Sequence, residues 1–545
     1  MAASLSSMKA AMYRHENGLK HVNIINNDGF SALFVVNTPI LDNSGVAHGV
    51  EHGVFRRSSS FPQPETLFQL TSLTDAKINA STFADSTYFH CQSQCENTFN
   101  LAIEYLLNGL FSPIFDKEYL SCEVYDGQGK GIGTGKAKGV IYRELIGIEQ
   151  ANKASANSDE SENSENSENR ENREKSDKDS EFSYGGISST IGELTLNDLS
   201  AFHQRFYQAR NMTLVTANAD IEKISELISL LPLQIQQEQA LKVEQKSEIN
   251  QAANNDDIAQ HQAKYSPAIN TLIKAYYLSL QTSKQHNIDS YTEIKYTSKA
   301  LETMAKTQPK ADNAGLIAPL VSLTDKYLEA SNNERKIDIS DKAKAKTASQ
   351  TLLPKLFNAL CLEAKEQFLL NDISGKNLNR NELCKDELRK RELRKRELRS
   401  RELSQSKQKV KTLETVSVCN QHNALWLTKV SKAEQAIADI TSYIVSAYPA
   451  FLARRCQGFC YATQALTIEN STYFAVYSAF DIAPDEQLNT ILPCLLALSE
   501  DKRFISASLA LAKTKYCQVH QVDGRNINDI SQENISGYLQ RVAGN

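Results

Sequence analysis

Gly45-Val-Ala-His48-Gly-Val-Glu51-His52-Gly53-Val-Phe55 sets two histidines four residues apart on one predicted helix. On a helix that spacing sends both imidazoles off one face, one turn apart. This is the geometry two nitrogen ligands need to grip one zinc ion. Glu51, three residues after His48, falls on nearly the same face. There it can stand beside a metal without ligating it, placed to take a proton from water. A third ligand must come from elsewhere in the chain, and a fourth position must stay open. The bland alternative is a surface helix with two unrelated histidines.

Upstream, His21-Val-Asn-Ile-Ile25 and Ser31-Ala-Leu-Phe-Val-Val36 read as strands around Asn26-Asn-Asp-Gly29, and Asp28-Gly29 signals a hairpin turn. Downstream, an apolar-periodic stretch at 64–73 leads into a strand pattern over 77–92. Residues 97–111 predict a helix, with Phe99, Ile103, Leu106, Leu107 and Leu110 near one face. Thr195-Leu-Asn-Asp198 predicts a helix N-cap with its acid three residues on. That helix runs to about Gln208, and a strand follows at Met212–Ala217. Further helices are expected at Ile221–Leu231, 267–283 and 293–306. From Val416 the pattern is compact again. Leu425–Leu427 is short and apolar, and Ala433–Leu452 has helical periodicity. Phe459–Leu466 and Thr472–Phe480 read as paired strands, and Gln487–Leu498 and Ile505–Gln518 as helices. Helix and strand alternate, so the class is mixed α and β.

Two segments differ in kind. Residues 152–181 include Ser161-Glu-Asn-Ser-Glu-Asn-Ser-Glu-Asn169, a three-residue repeat with no apolar member, which predicts a disordered acidic insert. In 386–403 the leucines recur every five residues, which makes no helical stripe, so this charged repeat reads as a solvated helix or spacer. The polar stretch 234–262 reads as linker. The glycine-dense Gly127–Gly135 lacks a strand–turn–helix context and reads as a loop rather than a phosphate cradle.

The whole chain has 545 residues, 41% of them apolar, enough for several domains. A net charge of −5 argues against nucleic-acid binding, which needs a basic face. No run of about 18 apolar residues exists, so no membrane span is expected. The ten cysteines are scattered along the chain, and Met1–Arg14 lacks the apolar core of a secretory signal. Free thiols in a cytoplasmic setting are the expectation. The pairs Cys91/Cys95 and Cys456/Cys460 complete no four-ligand metal set.

His48-x-x-Glu51-His52 resembles the inverted zinc motif of the insulinase and pitrilysin metallopeptidases, and its surroundings resemble their presequence-protease subfamily. Thr38-Pro-Ile-Leu-Asp-Asn-Ser-Gly-Val-Ala-His48 is similar to the approach to the zinc helix. Asn79-Ala-Ser-Thr-Phe-Ala-Asp85-Ser-Thr-Tyr88 is similar to the strand that follows. Lys138-Gly-Val-Ile-Tyr-Arg-Glu144-Leu is similar to the segment supplying the third ligand, and Glu144 lies 92 residues beyond His52. Arg455-Cys-Gln-Gly-Phe-Cys-Tyr461 is similar to an arginine–tyrosine pair of the last domain.

The resemblance implies one Zn2+ held by His48, His52 and Glu144, with Glu51 as general base. It implies a substrate-backbone contact from Arg455 and an oxyanion donor in Tyr461. It also implies a substrate peptide added to a strand edge at Asn79 and Ala80. The implied fold is α+β, in two-layer α/β domains with helices packed on one face of a mixed sheet. The expected organisation is an N-terminal peptidase domain over 1–230, a degenerate middle region and charged linker over 231–415, and a C-terminal peptidase-like domain over 416–545.

Relatives with four such domains close them around a chamber, and here the middle is abbreviated. Gly49 and Gly53 also replace bulkier residues, at a cost of roughly 1 kcal/mol each to a helix. Three readings follow. The first is a zinc endopeptidase acting on short unfolded peptides. The second is a weak or inert homologue serving as a peptide-binding or partner subunit. The third is a chain that completes a chamber with a second copy or a partner subunit.

Overall fold

A computed structural model describes residues 8–26, 29–127, 137–149, 183–231, 265–285, 292–296, 415–419, 422–468, 471–522 and 527–544. The expected acidic insert at 152–181, the linker at 234–262, the repeat at 386–403 and most of the glycine-dense loop lie outside these residues.

The first sheet has seven strands: β1 (Met8–Arg14), β2 (Lys20–Ile24), β3 (Phe30–Asn37), β4 (Lys77–Thr82), β5 (Ser86–Ser93), β6 (Met212–Ala217) and β7 (Thr292–Tyr296). Their spatial order is β4-β5-β3-β6-β2-β1-β7. Only β2 and β6 run parallel, with Val22 opposite Val215. The sheet is therefore mixed, as the alternation of elements predicts.

The expected hairpin between the second and third strands does not form. β6 lies between them, pairing with β2 on one side and β3 on the other. A turn dipeptide has only local authority, whereas Leu214 and Val215 of β6, both fully buried, gain a place in the sheet centre. β2 instead forms a hairpin with β1, a strand the sequence reading did not anticipate. A second correction falls at 293–306. Thr292–Tyr296 is a strand paired with β1, not the start of a helix. Its Thr, Ile and Tyr favour the pleat, and an available edge decided the outcome.

One face of this sheet carries α1 (Val46–Arg56), α2 (Thr66–Leu73), α3 (Glu96–Phe111), α4 (140–149), α5 (Leu196–Phe206) and α6 (Ile221–Ser229). The core there joins Phe34, Phe89 and Leu214 of the sheet to Val50 and Val54 of α1 and Phe99, Ile103 and Leu106 of α3. The opposite face is covered by α7 (Pro267–Gln285) through Ile269, Leu272 and Ile273. Thr195 and Asp198 cap α5 with a reciprocal capping box, as their spacing predicts.

The second sheet is antiparallel, ordered β10 (Ala462–Ile468), β11 (Tyr473–Ala479), β9 (Ala424–Lys429) and β8 (Thr415–Cys419). It carries α8 (Gln435–Ala447), α9 (Pro449–Cys456), α10 (Pro484–Glu500), α11 (Lys502–His520) and α12 (Gln532–Ala543). The periodicity at 433–452 spans two helices, because Pro449 cannot supply the N–H that would continue α8 and opens α9 instead. Among the described residues no single helix is long and apolar enough to cross a membrane.

The two sheets belong to one packed body. Phe68 and Leu73 of α2 enter the core of the second unit. Buried cations cross the boundary. Arg56 donates to the Cys456 carbonyl at 2.8 Å, Arg143 to the Phe480 carbonyl at 2.9 Å, and Lys515 to the Thr71 carbonyl at 2.8 Å. The Gly139 N–H meets the Gly458 carbonyl at 2.9 Å.

Candidate metal centre

Gly45, at φ 76°, opens α1 in the left-handed region that only glycine enters without strain. From that start Ala47, Val50 and Val54 turn into the core, which leaves His48, Glu51 and His52 on the cleft side. The helix is pinned by two tyrosine hydroxyls, which donate to its backbone. Tyr119 reaches the Gly49 carbonyl and Tyr105 the Phe55 carbonyl. Gly49 and Gly53 are the residues that let neighbours approach. A Cβ at Gly49 would stand 2.7 Å from Leu199 Cδ2, and one at Gly53 would stand 2.4 Å from Phe115 Cε1. Close packing of α1 thus offsets the low helix propensity of both.

Each histidine spends one ring nitrogen on the protein. His48 Nδ1 donates to the Gly185 carbonyl at 3.0 Å, and His52 Nδ1 donates to Glu123 Oε1 at 2.9 Å. The other nitrogens converge, with His48 Nε2 and His52 Nε2 3.1 Å apart. Glu144, on α4, brings Oε2 to 3.6 Å from both. That oxygen is buried and has no hydrogen-bond partner. Ligand atoms set tetrahedrally about one zinc ion lie about 3.3–3.6 Å apart. Two nitrogens and one carboxylate oxygen at these separations fit such an ion, and the orphaned oxygen is the atom a cation would satisfy.

The electrostatics agree. Burial, with the neighbouring His52, drives the His48 pKa down to about 3, so its Nε2 keeps a lone pair. Burial pushes Glu144 up to about 8, aided by Glu51 and opposed by His52. Burial opposes charging of His52, but Glu123, Glu144 and Glu51 outweigh it and raise its pKa. At about 8, the Glu144 carboxyl keeps its proton at neutral pH.

Glu51 lines the same cleft and accepts a hydrogen bond from Thr82 Oγ1. Asn79 and Ala80 also line it, on β4, whose only pairing among the described residues is with β5. From the second unit, Arg455 and Tyr461 reach the cleft across more than three hundred residues of sequence. Burial and the Glu144 carboxylate keep the Tyr461 phenol protonated. Arg455 is turned toward Glu123, which receives its two terminal nitrogens at 2.9 and 3.2 Å. The guanidinium also lies over the Phe68 ring, 5.3 Å from its centroid.

Glu123 is the residue that sequence reading missed. It is 2% exposed and holds His52, Arg56 and Arg455 together. Burial alone would raise its pKa, but Arg455, His52 and Arg56 hold it well below the usual carboxylate range. It stands on a short π-helical turn, Leu120–Val124, and no spacing rule marks it. The cysteines near the cleft are plain thiols. Cys456 and Cys460 are buried and unpaired, and burial raises both, Cys456 to about 12.

Residues 41–128 match the model of the insulinase family, peptidase family M16. An uncharacterized protein of Borreliella burgdorferi is 27% identical over 215 residues, covering 39% of this chain and 21% of that protein. Presequence protease 1 of Arabidopsis thaliana, chloroplastic and mitochondrial, is 24% identical over 213 residues, covering 37% and 18%. The mitochondrial presequence protease of Candida albicans is 26% identical over 151 residues, covering 26% and 14%. The aligned part of the chain thus spans about a fifth or less of these relatives. The His48–His52 helix falls inside the segment that matches the insulinase family model.

Proposed function

We propose that this chain is a zinc-dependent endopeptidase that hydrolyses short unfolded peptides. One observation carries the proposal. His48 Nε2, His52 Nε2 and Glu144 Oε2 converge on one point, 3.1–3.6 Å apart, beside the carboxylate of Glu51. These three residues would hold the ion. When bound, zinc supplies Lewis-acid polarisation and a water acidic enough to attack near neutral pH.

The chain's own residues do the rest. Thr82 orients Glu51, which takes the proton of the attacking water and returns it to the leaving amine. The protonated Tyr461 hydroxyl donates to the oxyanion that develops on the peptide carbonyl. β4 accepts an extended peptide as an added strand at Asn79 and Ala80, which fixes the scissile bond in register. Glu123 holds the ring of His52 so that Nε2 faces inward.

A second reading, a peptide-binding or partner subunit without turnover, is favoured by the engagement of Arg455 with Glu123 instead of the open cleft. Metal analysis and peptide cleavage separate the two. The purified protein should hold one zinc per chain, and His48→Ala should lose it. Glu51→Gln should keep the metal while kcat on a quenched fluorescent peptide falls by about 10²–10⁴. Full zinc occupancy without turnover on a broad peptide library would leave the subunit reading standing.

A further inference from the structure

Among the described residues, three that line the cleft each carry a buried side-chain atom without a hydrogen-bond partner: Arg56 Nε, Glu144 Oε2 and Gln464 Oε1. Arg56 is otherwise satisfied, by Glu123, Glu118 and the Cys456 carbonyl. The Glu144 oxygen belongs to the metal centre. Gln464 remains. It sits on β10, three residues beyond Tyr461, and its amide oxygen is shut away from water with nothing to accept from. A buried acceptor left unmet is costly unless a partner arrives.

The peptide reading supplies that partner. An extended peptide added to β4 satisfies only the N–H and C=O groups on its β4 side, and alternate residues point the other way. Where binding strips those outward groups of water, protein partners offset the loss. The second unit lines the same cleft with Tyr461, Ala462, Thr463 and Gln464. The backbone of β10 is already taken at the next residue. Ser446 Oγ accepts from the Ala465 N–H at 2.9 Å and donates to the Ala465 carbonyl at 2.8 Å. Among the described residues of this lining, the Gln464 amide oxygen is the buried acceptor without a partner.

We propose that Gln464 is a substrate-binding residue whose side-chain oxygen accepts a backbone N–H of the bound peptide, on the side turned away from β4. The inference rests on the peptidase reading of the same cleft. Because it reads backbone and not side chain, Gln464 strengthens binding of extended peptides without selecting their sequence.

The test uses full-length Glu51→Gln protein loaded with zinc and a fluorescein-labelled peptide that the wild type cleaves, with affinity read by anisotropy. Adding Gln464→Leu should weaken binding about 3- to 10-fold at unchanged zinc content. A backbone N-methyl scan of the peptide should find one position that loses affinity by a similar factor on the parent protein. That position should lose nothing further on Gln464→Leu. Gln464→Glu, which keeps an acceptor, should retain sensitivity to the same N-methyl group. Equal affinities for the parent and Gln464→Leu, or N-methyl effects that simply add, would overturn the inference and leave the peptidase reading intact. If the wild type cleaves no peptide, and none binds the Glu51→Gln protein, the peptidase reading fails and Gln464 falls with it.

Discussion

His48 and His52 carry opposite biases from one neighbourhood. His48, against the Gly185 carbonyl, is held neutral by burial, whereas His52, against the Glu123 carboxylate, is pushed toward its charged form. Glu144 is raised as well, to about 8, so the ion-free site binds a proton at pH 7 that a metal must displace. The sign is fixed by that exchange. A higher pH removes the competing proton and strengthens metal binding. Acid adds the proton and weakens it. Zinc affinity should rise about tenfold per pH unit between pH 6 and 8, one unit for each proton released. Calorimetric titration in buffers of different ionisation enthalpy measures the proton count directly, and a count of zero would contradict this account of Glu144 and His52.

At the scale of elements, the centre depends on where α1 lies against α3. Gly109 of α3 packs on α1 so closely that a Cβ would stand 2.1 Å from the Val54 carbonyl oxygen. That neighbour is backbone and cannot swing aside. Gly109→Ala favours helix formation locally by roughly 1 kcal/mol, yet it must push α1 away. The expected net outcome is destabilisation of about 1–3 kcal/mol in urea unfolding, as for other overpacked sites. Zinc affinity should fall with it, because His48 and His52 ride on the displaced helix. An unchanged or improved stability would show that α1 and α3 do not meet as described.

At the scale of the molecule, the cleft exists because two units close on each other. Lys515 of α11 is 7% exposed and caps the end of α2 by donating to the Thr71 and Ser72 carbonyls at 2.8 and 3.1 Å. Its ammonium also lies 4.6 Å from the centroid of Tyr443. Lys515→Met keeps much of the apolar stem but leaves two carbonyls unsatisfied, at about 1–3 kcal/mol each. Hydrogen exchange over 66–73 should accelerate, and peptide turnover should drop more than zinc content, since α2 lines the cleft without ligating the metal. Loss of zinc in step with turnover would place Lys515 in the stability of the whole fold and not in this joint.

Much of this was legible in the chain. The four-residue histidine spacing, the glutamate between them, the capping box at Thr195 and the apolar stripe of α3 are local signals, and local signals survive in sequence because helix geometry repeats every few residues. Strand partners are not local. Nothing in Asn26-Asn-Asp-Gly29 says that β6, nearly two hundred residues later, will separate the strands on either side. Family resemblance brought Glu144, Arg455 and Tyr461 into view, but it could not show that Arg455 turns onto Glu123. Glu123 itself has no motif, because its importance lies in which cations burial sets around it. The sequence alone thus determined the helix that sets His48 and His52 one turn apart. Only the tertiary structure decided the convergence of Glu144 and the Glu123 hub. It likewise decided the unmet Gln464 oxygen, because burial and long-range approach are properties of packed surfaces and not of neighbours along a chain.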